Sequence, residues 1–407
     1  MGDAGMSWFA ARLRRLLPLA AVALAAGLAV GAWGAWRERP EERLRLGEQA
    51  LAARDNAAAR EHLTAYLAAR PADTRARLLA ARAARRLRKF GEATADLRQC
   101  RQGGDDPDAI DVEFALIGIE RDGEEPGPAL RERARAGDDL GLAALETLIQ
   151  YDLDTYHLYR ALDGLNFYLT HRPDDLPALM SRAFVWERLL NFSDAVVDYR
   201  RAIASHPDSE AARLKLGEAL LVAGTPAEAL EQFTWLAQRR PDHGPTRLGL
   251  ARCKRRLSET DEARRLLDAL ATEFPNRGEV LWERGQLELD DGHPAESEGW
   301  LRRAMTASPH DRRIATSLSQ CLLQLDRRAE AEAVRAKAEA LGEELRRLDE
   351  ARTKVLKQPT DAAAWSEGGL LFLRNGEREE GLRWLRRALQ LDPANEAARR
   401  ALGGADQ

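Results

Sequence analysis

The side chains best able to hold a metal or act as nucleophiles are seven histidines and three cysteines, and their spacing serves neither purpose. His171, His206, His243 and His310 each stand within two residues of a proline and a long stretch of chain apart, whereas metal ligands must converge within a few ångströms. Cys100, Cys253 and Cys321 form no CxxC pair and no disulfide framework. The acidic pairs Asp105-Asp106 and Asp174-Asp175 suit solvated turns and helix N-caps. Glycine-rich phosphate loops, HExxH and GxSxG are missing from the sequence. These residues therefore predict no catalytic site, no cofactor, no metal and no small-molecule substrate.

Charged residues make up 31% of the chain, yet the formal net charge is −4, so there is no concentrated basic surface for nucleic acid. Ala, Leu, Arg and Glu dominate and aromatics are 6%, a mix that favours helices over strands. A length of 407 residues accommodates two or three domains or one extended repeat array. The Arg- and Ala-rich usage points to a GC-rich bacterial genome.

Residues 1–15 form a short leading segment, and 16–36 carry no charge. As a helix rising about 1.5 Å per residue, Leu16 to Trp36 spans about 30 Å, the thickness of a hydrocarbon core. Arg12, Arg14 and Arg15 precede it, and Trp33 and Trp36 stand at its far end, where interfacial aromatics belong. The alternative is a cleaved signal peptide with Ala32 and Gly34 at the cleavage site. The length of the run and the bulky tryptophans favour an uncleaved transmembrane anchor. The leading basic cluster puts the N-terminus inside and the rest of the chain in the periplasm of a bacterial inner membrane. Arg37, Arg39, Arg43 and Arg45 beyond the run keep a cytoplasmic placement as the alternative.

Past this segment a period emerges. Pro173, Pro207, Pro241, Pro275 and Pro309 stand 34 residues apart, and Pro71 lies on the same grid. Twelve positions before them stand Ala59, Ala161, Ala195, Ala229, Ala263 and, once, Ser297. Gly47, Ala183, Gly217, Ala251 and Gly285 share another phase. Each block reads as two antiparallel helices. The small residues let the backbones approach, and Leu216, Leu220, Phe233 and Leu236 fill the layer between them. Gly224 and Gly376 allow a left-handed turn after the first helix, and the proline ends the second.

The pattern of Leu216-Gly217, Gly224, Ala229, Phe233 and Pro241 resembles the tetratricopeptide repeat family, and the likeness extends from Pro40 to Asn395. The resemblance implies an all-α, right-handed superhelical solenoid of antiparallel helix pairs. Residues 40–107 and 142–345 read as repeats, with units starting at Pro40, Thr74, Leu142, Leu176, Glu210, Gly244, Gly278 and Arg312. Residues 108–141, interrupted by Gly123, Pro126 and Pro128, are a degenerate unit or a loop. Residues 346–361 are a helical insertion within a stretch, Arg327 to Lys357, that reads as one long helix or two. Residues 362–395 are a repeat displaced by sixteen positions, and 396–407 form a capping helix and tail.

In that family the first helices line a concave groove that receives peptides or helices, which implies protein partners here. The groove-facing fifth, sixth, ninth and twelfth positions include Met180, Phe184, Leu214, Lys215, Leu248, Arg252, Arg255, Trp282 and Gln286. Phe184 and Trp282 serve equally well as packing against the neighbouring unit. The basic run Arg252, Lys254, Arg255, Arg256 fits better as a charge-compensated surface than as a site for an acidic segment. The Lys and Asn pair with which some family members grip a C-terminal carboxylate is missing from every block. The expected function is that of a membrane-anchored interaction scaffold. An assembly or chaperone-like factor, or an accessory subunit of a membrane enzyme complex, are its alternatives.

Overall fold

The structure is a computed structural model that describes residues 40–104 and 106–405. The transmembrane reading of 16–36 lies outside these residues. Among the described residues every regular element is helical, and none is long and apolar enough to cross a membrane. Two compact units divide the chain between Thr147 and Leu148.

The first unit contains α1 (Pro40–Ala52), α2 (Asn56–Ala69), α3 (Thr74–Arg86), α4 (Phe90–Gly103), α5 (Pro107–Asp122) and α6 (Pro128–Arg133), and it ends within α7 (Asp139–Asp154). The second unit continues with α8 (Leu158–His171), α9 (Leu176–Arg188), α10 (Phe192–Ser205), α11 (Glu210–Val222), α12 (Pro226–Arg239), α13 (Gly244–Arg256) and α14 (Thr260–Glu273). It is completed by α15 (Gly278–Asp290), α16 (Pro294–Ala307), α17 (Arg312–Gln324), α18 (Arg328–Lys357), α19 (Ala362–Arg374), α20 (Arg378–Leu391) and α21 (Glu396–Ala405). Within each unit helices pack pairwise and successive pairs pack on one another, giving an α-solenoid of helix pairs.

Local chemistry sets the boundaries. Asp73, Asp175, Ser209, Asp311 and Asp361 cap the first helices of their units, each side chain accepting a backbone N–H of the first turn. The turn into the second helix is always made by one left-handed residue. Arg54, Arg88, Tyr156, Leu190, Gly224, Ser258, Gly292, Asp326 and Gly376 all have positive φ at the fifteenth place of their units. Glycine adopts this conformation freely; a large side chain there is strained and needs a reason.

The core runs between the paired helices. Ala229 and Phe233 of α12 are buried with Leu216 and Leu220 of α11 and with Cys253 of the next unit. A Cβ placed on Gly217 would meet the Phe233 ring at 2.7 Å, and one on Gly249 would also collide with it. The bare glycines of two successive units therefore hold one ring between them.

The stretch 108–141 holds a complete first helix, α5, followed by the six-residue stub α6. Its left-handed residue is Gly123, one place late, and Pro126 and Pro128 leave no room for a full second helix. Residues 346–357 are the second half of α18, a single helix of 30 residues with no proline inside it. Its first half pairs with α17 as a second helix should, and α18 also packs on α19.

Candidate functional site

The first helices of successive units touch one another, α11 with α13, α13 with α15 and α15 with α17, whereas second helices do not meet to a comparable extent. This asymmetry makes the first helices the inner, concave side of the array. Most of the residues singled out from the sequence sit there, and they divide into two groups.

The apolar group lies on α9 and α11. Met180 and Leu214 are half-buried, each leaning on the core that contains Ala183, Tyr199 and Phe233. Phe184 is half-buried with the Arg188 guanidinium 4.9 Å above its ring, and Val222, at the end of α11, is 60% exposed. Lys215 is exposed and pairs with Glu218 at 2.8 Å on its own helix. Burial pushes the neighbouring Glu187 carboxyl up, against the Tyr199 hydroxyl that favours its charged form. An anionic Glu187 is thus poorly solvated beside an apolar surface.

The charged group lies on α13 and α15. Glu283 is buried and receives Arg252 Nε at 2.6 Å and Arg255 Nε at 3.1 Å; Arg255 also reaches Asp290 at 2.6 Å. Lys254 pairs with Glu259 and Glu262, and Arg256 donates to the Leu221 carbonyl. The basic run is compensated within the protein. The same array recurs in the first unit at the same register. Arg82 Nε and Arg85 Nε each reach the buried Glu113 at 2.7 Å, and Arg85 also pairs with Glu120. One glutamate on one first helix thus ties two arginines of the preceding first helix.

Leu248 is 3% exposed and belongs to the core, so it has almost no surface to offer. Trp282 is half-buried and spans two units. It packs on both adjoining cores, its Nε1 donates to Ser317 Oγ at 2.9 Å, and Arg313 stacks on its ring at 4.7 Å. Gln286 is half-buried, and its Oε1 accepts no hydrogen bond.

Beyond these, a cleft of about 500 Å³ opens on the same face of the displaced repeat. Ser366, Leu370 and Arg374 of α19 line it with Arg347 of α18 and with Asn395 and Ala397 at its far side. Arg347 is held by Glu367 at 2.7 Å, and Ser366 Oγ donates to Asn395 Oδ1 at 3.1 Å. The 34-residue count misses it because this unit is shifted. Counting afresh from Ala362 places Ser366 and Leu370 at the fifth and ninth positions.

Glu288, Asp291 and His293 are the group among the described residues with ligand atoms close enough for a metal. Arg284 and Arg264 already neutralise Glu288, and Arg264 also pairs with Asp291 at 2.6 Å. The three thiols are buried, and burial pushes Cys253 up to about 12, far from a reactive thiolate.

Tetratricopeptide repeat models match residues 44–107, 187–244 and 220–282, and the chain therefore carries tetratricopeptide repeats. A stretch of 74 residues, 18% of this chain, is 38% identical to the protein SGT1 homolog of Bos taurus, of whose length the chain covers 22%. Among solved structures, a tetratricopeptide repeat protein from Parabacteroides merdae ATCC 43184 aligns with 79% of this chain and 99% of its own, at 17% identity and a TM-score of 0.46. MamA from Desulfovibrio magneticus RS-1 aligns with 42% of this chain and 96% of its own, at 15% identity and a TM-score of 0.36. Tetratricopeptide repeats generally mediate protein–protein interactions, and the fold is typically a non-catalytic scaffold.

Proposed function

We propose that this protein is an interaction scaffold, anchored in a bacterial inner membrane by residues 16–36 with its repeats in the periplasm. A partner segment, as an extended peptide or a helix, lies along the inner face of α9 and α11, and the cleft beside α19 holds a further part of it. The observation that carries this reading is the division of the inner face. Arginines and glutamates on α13 and α15 satisfy one another, while Met180, Phe184 and Leu214 keep apolar area that the core does not use up. Apolar area left uncovered on the first helices of neighbouring units marks interaction sites. Lys215, exposed beside this surface, and the partly exposed Arg252 and Arg255 further along supply polar contacts that fix the direction of a bound segment. The uncharged run Leu16 to Trp36, with arginines before it and tryptophans at its end, supports the anchor.

Photo-crosslinking residues placed at Phe184 and Leu370 in intact cells test the reading. Discrete protein adducts that fractionate with membranes are expected from both positions, and none from the outward Arg200 on α10. Adducts of equal yield from Arg200, or none from either inner position, would refute it.

A further inference from the structure

The start and the end of the second unit touch. Tyr156, in the turn between α7 and α8, lies edge-on to Trp384 at 5.2 Å and to Trp365 at 5.9 Å between ring centroids. Trp365 and Trp384 pack on each other at 4.7 Å, and Phe372 completes the cluster at 5.2 Å from Trp384. Both tryptophans are 1% exposed and Tyr156 is 6% exposed. A short way along, Arg188 at the end of α9 reaches Glu380 at 3.2 Å, across 192 positions of sequence. Glu380 is buried and also accepts from Trp384 Nε1 at 3.0 Å.

The register of the array explains why these contacts exist. The second half of α18 packs on α19 as a second helix would, with Leu348, Ala351 and Val355 buried, but the sixteen-residue displacement leaves it no first helix of its own. The last unit consequently has α18 alone beside it, with Ala351 against Gly368 and Arg352 stacked on Phe372, and lacks the first-helix neighbour of a regular pair. Tyr156 supplies the missing cover. It occupies the left-handed turn position with φ 59, where glycine stands in Gly224, Gly292 and Gly376, and a bulky residue there is costly.

We infer that Tyr156 and Arg188 form a latch which closes residues 148–405 into a single ring-like turn, with the displaced C-terminal repeat as its gate. On the reading that the inner face binds partners, a segment entering along the axis is admitted with the latch shut, and a partner laid in from the side must first open it.

Tyr156→Gly is the cleanest probe, because it removes the ring while giving the turn its easiest residue. In the full-length protein, fluorophores at Tyr159→Cys and Arg386→Cys, both exposed positions, report closure without any partner; the native thiols are buried. Energy transfer should fall sharply in Tyr156→Gly and in Arg188→Glu, with helicity by circular dichroism unchanged, and should persist in Tyr156→Phe. Unchanged transfer in both opening variants, or an equal fall in Tyr156→Phe, would overturn the latch. Because no partner is present, the result does not depend on whether the inner face binds one.

Discussion

Phe233→Ala should destabilise the second unit by about 3–5 kcal/mol, toward the upper part of that range for a buried aromatic. The ring is 1% exposed and sits between Gly217 of its own unit and Gly249 of the next. Two glycines have no side chains to move into the space the ring leaves, so the cavity stays open. Equilibrium urea unfolding followed by circular dichroism measures the loss. The same geometry gives a sign reversal. Gly249→Ala should destabilise the parent, because its methyl meets the ring, yet should partly restore stability in the Phe233→Ala background by filling the hole. If Gly249→Ala is equally costly in both backgrounds, the ring does not lie against Gly249.

Glu113→Gln should cost the first unit about 3–5 kcal/mol at neutral pH, the range for breaking a buried pair from one side. The substitution keeps the shape of the side chain and removes the charge that Arg82 and Arg85 share. Arg85 is 2% exposed, so it cannot turn to water and would keep Glu120 as its one remaining anionic partner, with a long contact to Thr147 Oγ1. Burial pushes the Glu113 carboxyl up, and Arg85 and Arg82 outweigh it, holding the group below the ordinary carboxylate range. The depressed value fixes the sign of the pH dependence. The stabilisation is fully present above the unfolded-state pKa, about 4.3, and disappears as pH falls through the lower folded-state value. The gap between parent and Glu113→Gln melting temperatures should therefore be widest near neutrality and close in acid. The equivalent change at Glu283 should cost less, because Arg252 keeps a quarter of its side chain in water. A constant gap across pH would show that Glu113 acts through packing alone.

Much of this architecture is legible in the residues themselves, for a physical reason. A helix pair can close only with small residues where the backbones cross, so Ala229, Gly217 and the turn prolines recur at one spacing and declare the fold. The left-handed turn is legible only where it is glycine. At Arg88, Tyr156, Leu190 and Ser258 the same conformation is imposed by packing on residues whose type does not announce it. The inner face is half legible. Its register follows from counting, which assigns Met180, Phe184 and Leu214 to first helices. Counting cannot tell which residues the next unit covers, so Leu248 and Trp282 look alike in sequence and differ in burial. The pairing of Arg252 and Arg255 with Glu283 depends on how neighbouring helices rotate against each other. The contact of Tyr156 with Trp384 depends on curvature accumulated over the whole unit, which no local pattern encodes.

If partners bind on the apolar part of the inner face, a charge placed there must release them without unfolding the protein. Phe184→Glu and Leu214→Glu variants are set beside Arg200→Glu in an affinity capture from crosslinked membranes, with the melting temperature of each recorded. Both inner-face residues are only half-buried, so a charge there can reach solvent without entering the core. The two inner-face variants should melt close to the parent and lose the captured partner, while Arg200→Glu keeps it. Partner retention by folded Phe184→Glu and Leu214→Glu proteins would contradict it.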